Sequence, residues 1–218
     1  MKTLFLLPIL ILTILSSRAQ DDTSNLFNKG DFFISGTVSY RNATKEDLSS
    51  NSEFNNEYVT LSPELGYFVN NNLAVGSRAS LFSNKNESEN SISRIEGYTL
   101  GVFGRYHFDL SNRLLLFTEL NLNYTRTENG YLFSGDDFTN RTDSVSNEYA
   151  AEIIPGIMFF LSKNFALTSR LGSIKYSIGD SYDSSVTDTS YNFSDQDFDS
   201  FSANFNLNNL HFGILYRI

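Results

Sequence analysis

Six charged side chains are the residues of this sequence best suited to chemistry. One falls on the polar face of each of six successive segments in which apolar residues recur at every second position: Glu64, Arg78, Arg105, Glu119, Glu152 and Arg170. Three acids and three arginines at one level inside a fold would need to pair, because a buried charge without a partner is costly. The pattern therefore predicts a structural interior ion-pair network, and a gated or ion-selective lumen is the alternative.

Patterns for catalysis or metal binding are weak. Both histidines, His107 and His211, fall among inward-facing positions near short gaps in the alternation, whereas a general base must reach its substrate by a hydrogen bond. The run Asp195–Asp199 begins like a calcium loop, but Ser200 and Asn206 occupy the positions that need Gly and Glu. We therefore predict no enzymatic activity, no catalytic residue, no cofactor and no metal site.

Eight alternating segments must position these side chains, since period-two alternation is the signature of β-strands. They span about 32–41, 57–69, 73–82, 92–108, 113–126, 147–161, 165–178 and 201–218. The parity of the last changes at Asn208–Asn209, which indicates a β-bulge. Its terminal part, Leu210–Ile218, is expected to pair with the first strand, because an unpaired edge invites aggregation. Pro63 and Pro155 stand on the apolar face, where a bulge or a lost ladder bond is expected.

The gaps between segments alternate in length. Four are long and rich in Asn, Ser, Asp and Glu (43–56, 83–91, 127–146 and 179–200), and three are short (70–72, 109–112 and 162–164). This alternation with an even strand count is typical of outer-membrane barrels. The polar face is narrow and rich in Gly, Ser and Thr, which favours a barrel with apolar residues outside over a soluble one. The predicted fold is all-β, an eight-stranded antiparallel up-and-down transmembrane β-barrel, too narrow for an open channel.

Turn lengths predict which charges meet. The first short gap places Glu64 directly opposite Arg78. Across the second, a pairing of Phe108 with Leu114 would put Arg105 opposite Phe117, with Glu119 as its diagonal neighbour within reach.

The N-terminus predicts export. A charged start, an apolar core over Leu4–Leu15 and the small-residue pattern Ser17-Arg18-Ala19 indicate a signal peptide over 1–19. Residues 20–30 then form a polar lead, expected to be flexible and periplasmic, before a barrel domain over 31–218. Without the leader, 14 basic residues face 25 acidic ones, a net charge of −11 that does not favour nucleic acid. The absence of cysteine excludes disulfides and thiolate metal sites.

Several motifs resemble one known family, the outer membrane protein beta-barrel domain family, whose members are similar to the small OmpA/OmpX-type barrels. They are Ser62–Val69 with Leu73–Gly76, Ile154–Ile157, Phe160–Ser162 and Phe212–Arg217. The resemblance covers about 31–218. It implies a place in the cell outer membrane, contact with its lipid and lipopolysaccharide, and recognition of the last strand by the barrel-assembly machinery. It implies no particular activity.

The function expected from the sequence is structural or surface-interacting. A plugged barrel would display long acidic outer loops, above all 127–146 and 179–200, to a surface ligand or partner. The alternatives are a small-solute porin or hydrophobic-ligand transporter and, more remotely, a lipid A hydrolase or acyltransferase.

Overall fold

The computed structural model describes residues 26–47, 52–88, 91–133, 144–183, 196–205 and 211–218. Its regular structure there consists of ten strands: β1 (Phe32–Asp47), β2 (Ser52–Phe68), β3 (Leu73–Ser88), β4 (Ser91–Asp109), β5 (Leu114–Phe133), β6 (Ser144–Phe160), β7 (Phe165–Arg170), β8 (Ser173–Asp183), β9 (Gln196–Asn204) and β10 (His211–Arg217). None of the described residues belongs to a helix long and apolar enough to cross a bilayer. The predicted signal peptide and the parity change at Asn208–Asn209 lie outside these residues.

The strands close into an antiparallel barrel with eight positions around its wall. Strands β1 to β6 pair in chain order, β7 and β8 together occupy the seventh position, and β9 and β10 the eighth. Strand β10 pairs with β7 on one side and with β1 on the other, from Phe33–Arg217 to Thr37–Gly213. Within the described residues β9 pairs with β8 alone. The predicted eight-stranded up-and-down barrel, closed by the last strand, is confirmed.

Both mid-strand prolines interrupt the ladder as expected. At Pro63 the β2–β3 pairing breaks and resumes at Glu64–Arg78 in the same register, while Pro63 still faces Gly36 in β1. At Pro155 the neighbouring strand itself breaks between β7 and β8, and the register against β6 shifts by one residue. A missing N–H thus costs one ladder bond at the first proline and produces a bulge at the second.

The break between β7 and β8 depends on Gly172. Its φ of 121° lies in the region that L-residues avoid, and an added Cβ would meet the Asn204 carbonyl and Phe205 Cα. We expect Gly172→Ala to lower the free energy of unfolding by about 1–3 kcal/mol, the usual cost of such a backbone conformation. Urea unfolding in detergent measures it. Gly104→Ala is the matched control, because a Cβ there meets nothing within 4 Å; equal losses in both variants would contradict the strain argument.

The residues of the predicted long gaps that the structure describes all belong to strands, which corrects the description of those residues as loops. Strands β4 and β5, for example, stay paired from Asp109–Leu115 out to Ser91–Phe133. Backbone pairing satisfies every N–H and C=O whatever the side chain, so a hairpin continues where its apolar face has ended. The sequence pattern marks the end of the apolar belt and not the end of the strand.

One predicted register is confirmed and one is wrong. Glu64 faces Arg78, as expected from the first turn. Arg105, however, pairs directly with Glu119 and not with Phe117. The second turn has the same length as the first, since the amides of Leu110 and Ser111 both bond to the Leu114 carbonyl as those of Val69 and Asn70 bond to that of Leu73. It is centred one residue later than expected, which moves the pairing along by two residues.

The outer surface carries an apolar belt between two rings of aromatic side chains. At the hairpin end the ring is Tyr40, Tyr98, Tyr124 and Tyr149, and at the short-turn end it is Phe32, Tyr67, Tyr106, Phe159 and Tyr216. On β4 nine residues, Tyr98 to Tyr106, connect the two rings, and about 9–11 residues of tilted strand cross a bilayer. The expected orientation, apolar face outward, is confirmed.

The interior is filled at the short-turn end. A cluster of buried apolar side chains lies there, comprising Phe27, Phe33, Phe68, Ala74, Phe103, Leu115, Phe117, Met158, Phe160, Ala166 and Leu215. Directly beyond it, toward the hairpin end, lie the inward-facing charges.

Candidate functional site

The barrel interior brings five of the six predicted charges together, which we call the ion-pair layer. Its members, Glu64, Arg78, Arg105, Glu119 and Arg170, come from five different strands, β2 to β5 and β7. Inward parity selects the face, and the cross-strand pairs Glu64–Arg78 and Arg105–Glu119 set the level.

Glu64 is the most heavily shared acceptor of the layer. Its Oε1 accepts from Arg78 Nε at 2.7 Å and also from Arg170 Nη2. Its Oε2 accepts from Arg105 Nη2 at 2.9 Å and from the Ser35 hydroxyl at 2.7 Å. One carboxylate therefore holds four donors from four strands.

Glu119 repeats this arrangement one strand pair away. Arg105 Nε donates to its Oε2 at 2.6 Å, and Arg78 Nη2 donates to its Oε1 at 2.6 Å. Asn121 Nδ2 adds a bond of 3.1 Å, and Arg170 Nη2 reaches it at 3.4 Å. Because both glutamates share all three arginines, the five side chains form one connected network and not separate pairs.

The layer is shielded from water. Glu119 is fully buried, and Arg105 retains 1% of its surface. The Arg105 guanidinium carbon also lies 4.9 Å from the ring centroids of Phe103 and Phe117 and 5.4 Å from that of Phe33, within the range of cation–π attraction. This contact joins the ion-pair layer to the aromatic cluster beneath it.

Glu152, the sixth predicted member, does not join the layer. No ion pair within 4 Å connects it to a described residue, although it faces inward on β6. Its cross-strand neighbour Lys175 is bonded instead to Glu148 at 2.5 Å. The layer itself therefore holds three arginines and two glutamates and carries one excess positive charge.

A cavity of about 250 Å³ lies against the layer on its hairpin side. Its lining is mostly polar: Thr37, Ser62, Arg78, Glu152, Ile154, Arg170, Gly172, Ser173 and Asn204. Arg170 uses only Nη2 within the layer, and its Nε is buried without a hydrogen-bond partner. The cavity thus has an incompletely bonded guanidinium and a carboxylate, Glu152, in its wall.

Below the layer, the polar lead forms part of the interior. Phe27 is 1% exposed and stacks on Phe68 at 4.0 Å between ring centroids, with Phe160 edge-on at 5.3 Å. The Gly30 amide donates to the Phe68 carbonyl at 2.9 Å, and Arg217 bonds to the Leu26 carbonyl. We call residues 26–30 the aromatic plug. The expected flexibility is wrong for these residues, because they pack inside the barrel. The sequence shows no sign of this packing, since two apolar side chains are too few to show a period.

Of the two histidines, His107 lies inside the barrel, as its parity predicted. His107 is fully buried among aromatic rings beside Phe27, Phe68 and Phe117. Its Nδ1 lies 3.3 Å from the Asn72 carbonyl, and its Nε2 has no hydrogen-bond partner. The His211 backbone pairs with Arg170 in β7. In the part of the chain that the structure describes, no group of three His, Asp or Glu side chains is placed to hold a metal ion.

Comparison with known proteins finds likeness in structure only. No protein-family model matches the chain, and no curated protein matches it either. Among solved structures, the outer membrane protein OprG from Pseudomonas aeruginosa is 12% identical, with a TM-score of 0.50 over 88% of this chain and 97% of that one. Neisserial surface protein A is 13% identical, with a TM-score of 0.48 over 85% and 96%. A major outer membrane protein from Thermus thermophilus is 10% identical, with a TM-score of 0.49 over 87% and 99%.

The likeness to OprG bears on the fold, and it agrees with three independent features of this chain. The strand pairing closes after eight positions, the apolar side chains face outward, and aromatic rings bound the belt they form. Beyond the aromatic ring at the hairpin end, the next residues on the same face are charged, as at Glu96 and Arg126. This chain therefore has the fold of the small eight-stranded outer-membrane β-barrels.

Proposed function

We propose that this protein is an integral outer-membrane barrel with a plugged interior, and that it acts in a structural or surface-interaction role through its outer hairpins. The observation that carries the proposal is the pair of stacked interior layers, one aromatic and one charged. An eight-stranded barrel is just wide enough for side chains to fill its interior, and this one is filled at the aromatic plug and again at the ion-pair layer.

The hairpins beyond the belt support a role at the cell surface. On β5 the strand end at Phe133 lies nine residues beyond Tyr124, in the outer aromatic ring, which is about 30 Å of strand at ~3.3 Å per residue. Tyr131 is exposed there. With a net charge of −11 after the predicted cleavage, these hairpins favour a partner or polysaccharide that tolerates acidic surfaces.

The proposed environment supplies the remaining partners. Outer-membrane lipid covers the belt, and lipopolysaccharide meets the outer aromatic ring. The barrel-assembly machinery recognises β10, whose outward residues Phe212, Ile214 and Tyr216 are exposed and apolar. The proposal includes no enzymatic activity, which is supported by the position of His107 beneath the ion-pair layer and away from the outer surface.

Conductance separates this proposal from a porin. Folded protein is first identified on a gel by a change in migration on heating, and it is then inserted into planar bilayers. We expect no single-channel steps, because both interior layers are closed. On intact cells, added protease is expected to cleave the outer hairpins and leave the belt protected. Steady single-channel steps from pure protein would overturn the plugged interior, and protection of all hairpins would overturn the surface role.

A further inference from the structure

The barrel wall is open along one line at its hairpin end, which we call the seam. Strand β10 pairs with β1 only as far as Thr37–Gly213, and β9, which continues the same wall position, pairs with β8 alone. No Cα atom of β9 lies within 8 Å of a Cα atom of β1, whereas paired strands lie ~4.8 Å apart. In the part of the chain that the structure describes, the seam therefore separates residues 38–47 of β1 from β9.

The side chains along the seam are the least covered on the barrel wall. Phe201 and Val38 are 72% and 71% exposed, and Phe212, at the lower end of the seam, is 68% exposed. Apart from these three, Tyr40 and the terminal Ile218, no described large apolar side chain is more than 62% exposed. Side chains elsewhere on the wall have a neighbouring strand on both sides, and those along the seam lack one.

The seam also leaves backbone groups without a strand partner. Alternate residues of an antiparallel strand direct their N–H and C=O groups to the same side, so about half of the β1 residues beyond Thr37 direct them to the seam. Water can satisfy those beyond Tyr40, which belongs to the outer aromatic ring, but the seam begins at Val38, inside the apolar belt. Lipid tails offer no hydrogen-bond partner there, and open sheet edges are not tolerated in hydrocarbon. Another β-strand satisfies these groups along the whole seam.

A second copy of the chain can supply strands in the required direction. Strands β9 and β10 both run antiparallel to β1. A twofold axis along the membrane normal brings two seams face to face and keeps the hairpins of both copies outside. Because facing walls oppose left to right, β1 of each copy then lies beside β9 of the other, and rotation about the normal keeps the two antiparallel. Such an interface is self-complementary and closed, as in most homodimers.

The size of the seam fits this occupant. Each copy contributes residues 38–47 of β1 and the nine residues of β9, which approaches the ~20–30 residues that each partner contributes to a standard interface. Strand β9 is held by β8 alone, and this part of β1 by β2 alone, so both edges can turn outward to meet a partner.

We propose that two copies of this chain associate through the seam, with β1 of each copy paired to β9 of the other. The two ladders close both seams at once and cover the exposed side chains of Val38 and Phe201. The ion-pair layer of each barrel lies below the seam and is unchanged. The association adds a partner that the proposed surface role neither requires nor excludes.

The test joins the two edges of the seam between differently tagged chains. The chain contains no cysteine, so Asn42→Cys on β1 and Asp199→Cys on β9 introduce the only thiols, and both residues are exposed. The two variants are co-expressed, their folding is checked by migration before and after heating, and a short bismaleimide is added to isolated outer membranes. We expect a covalent product that carries both tags. Native mass spectrometry of the folded wild type should show twice the mass of one chain.

Asn42→Cys co-expressed with Glu96→Cys is the control, because β4 lies on the opposite side of the barrel from the seam. It should give no product with both tags. A wild type with the mass of one chain would overturn the proposal. If the double variant Asn42→Cys with Asp199→Cys then linked within one chain, the seam would close on itself; if it did not, the seam would be left to lipid. Conductance steps would refute the plugged interior without altering these results, so the two ideas fail separately.

Discussion

Glu64→Gln is expected to lower the free energy of unfolding by about 3–5 kcal/mol, the usual effect of removing one member of a buried ion pair. The amide keeps the size of the side chain but not its charge. Arg78, Arg105 and Arg170 would then share a single carboxylate, Glu119. Water can do little to stabilise the unpaired charge, because Arg105 and Glu119 are almost fully buried. The change is measured as the midpoint of urea unfolding of the protein folded into lipid vesicles.

Two further variants make this expectation specific. Glu152→Gln removes a carboxylate from the same lumen but outside the layer, so its midpoint should stay near that of the wild type. The double variant Glu64→Gln with Arg170→Gln leaves two arginines and one glutamate in the layer. It restores the single excess positive charge of the wild type and should recover part of the lost stability. If Glu64→Gln and Glu152→Gln unfolded at the same midpoint as the wild type, the layer would contribute nothing to stability.

Phe27→Ala should cost about 3 kcal/mol, the lower end of the range for removing a buried phenylalanine. Its ring is almost fully buried and contacts Phe68, Phe160 and His107, so truncation leaves a void at the short-turn end. Phe27 belongs to no strand of the wall, and the barrel should still form. The loss is read from urea unfolding, together with faster proteolysis of residues 26–30.

Lys29→Ala is the matched control for the aromatic plug, because Lys29 is exposed and belongs to the same segment. Its unfolding midpoint should not change. A Phe27→Ala variant as stable and as protease-resistant as the wild type would mean that the plug lies against the barrel without stabilising it.

Sequence patterns predicted the belt of this barrel well, for a physical reason. Lipid outside and a packed interior impose opposite polarity on successive residues, as in Ile34 and Ser35 or in Leu65 and Glu64. Beyond the outer aromatic ring both faces meet water, so this constraint ends at residues such as Glu96. Strand pairing continues there without leaving a period in the sequence.

The interior charges show a second limit. Parity gives the face of a residue and nothing about its level, which depends on turn length and on bulges. Glu152 has the same parity as Ile154 and Gly156, yet it makes no ion pair with the described arginines, although its cross-strand neighbour Asn121 accepts a hydrogen bond from Arg78. Arg105 pairs with Glu119 directly because the turn is centred one residue later than expected, so that Phe108 pairs with Leu116.

The ion-pair layer also has a consequence for folding kinetics. Its partners are distant along the chain, since 106 residues separate Glu64 from Arg170. Contacts of such high order form late, because the chain must first lose the entropy of closing large loops. In a partly assembled sheet each of these ions can keep its water, and only closure of the wall makes pairing favourable. The layer therefore stabilises the closed barrel and not half-closed intermediates, which makes closure of the barrel cooperative.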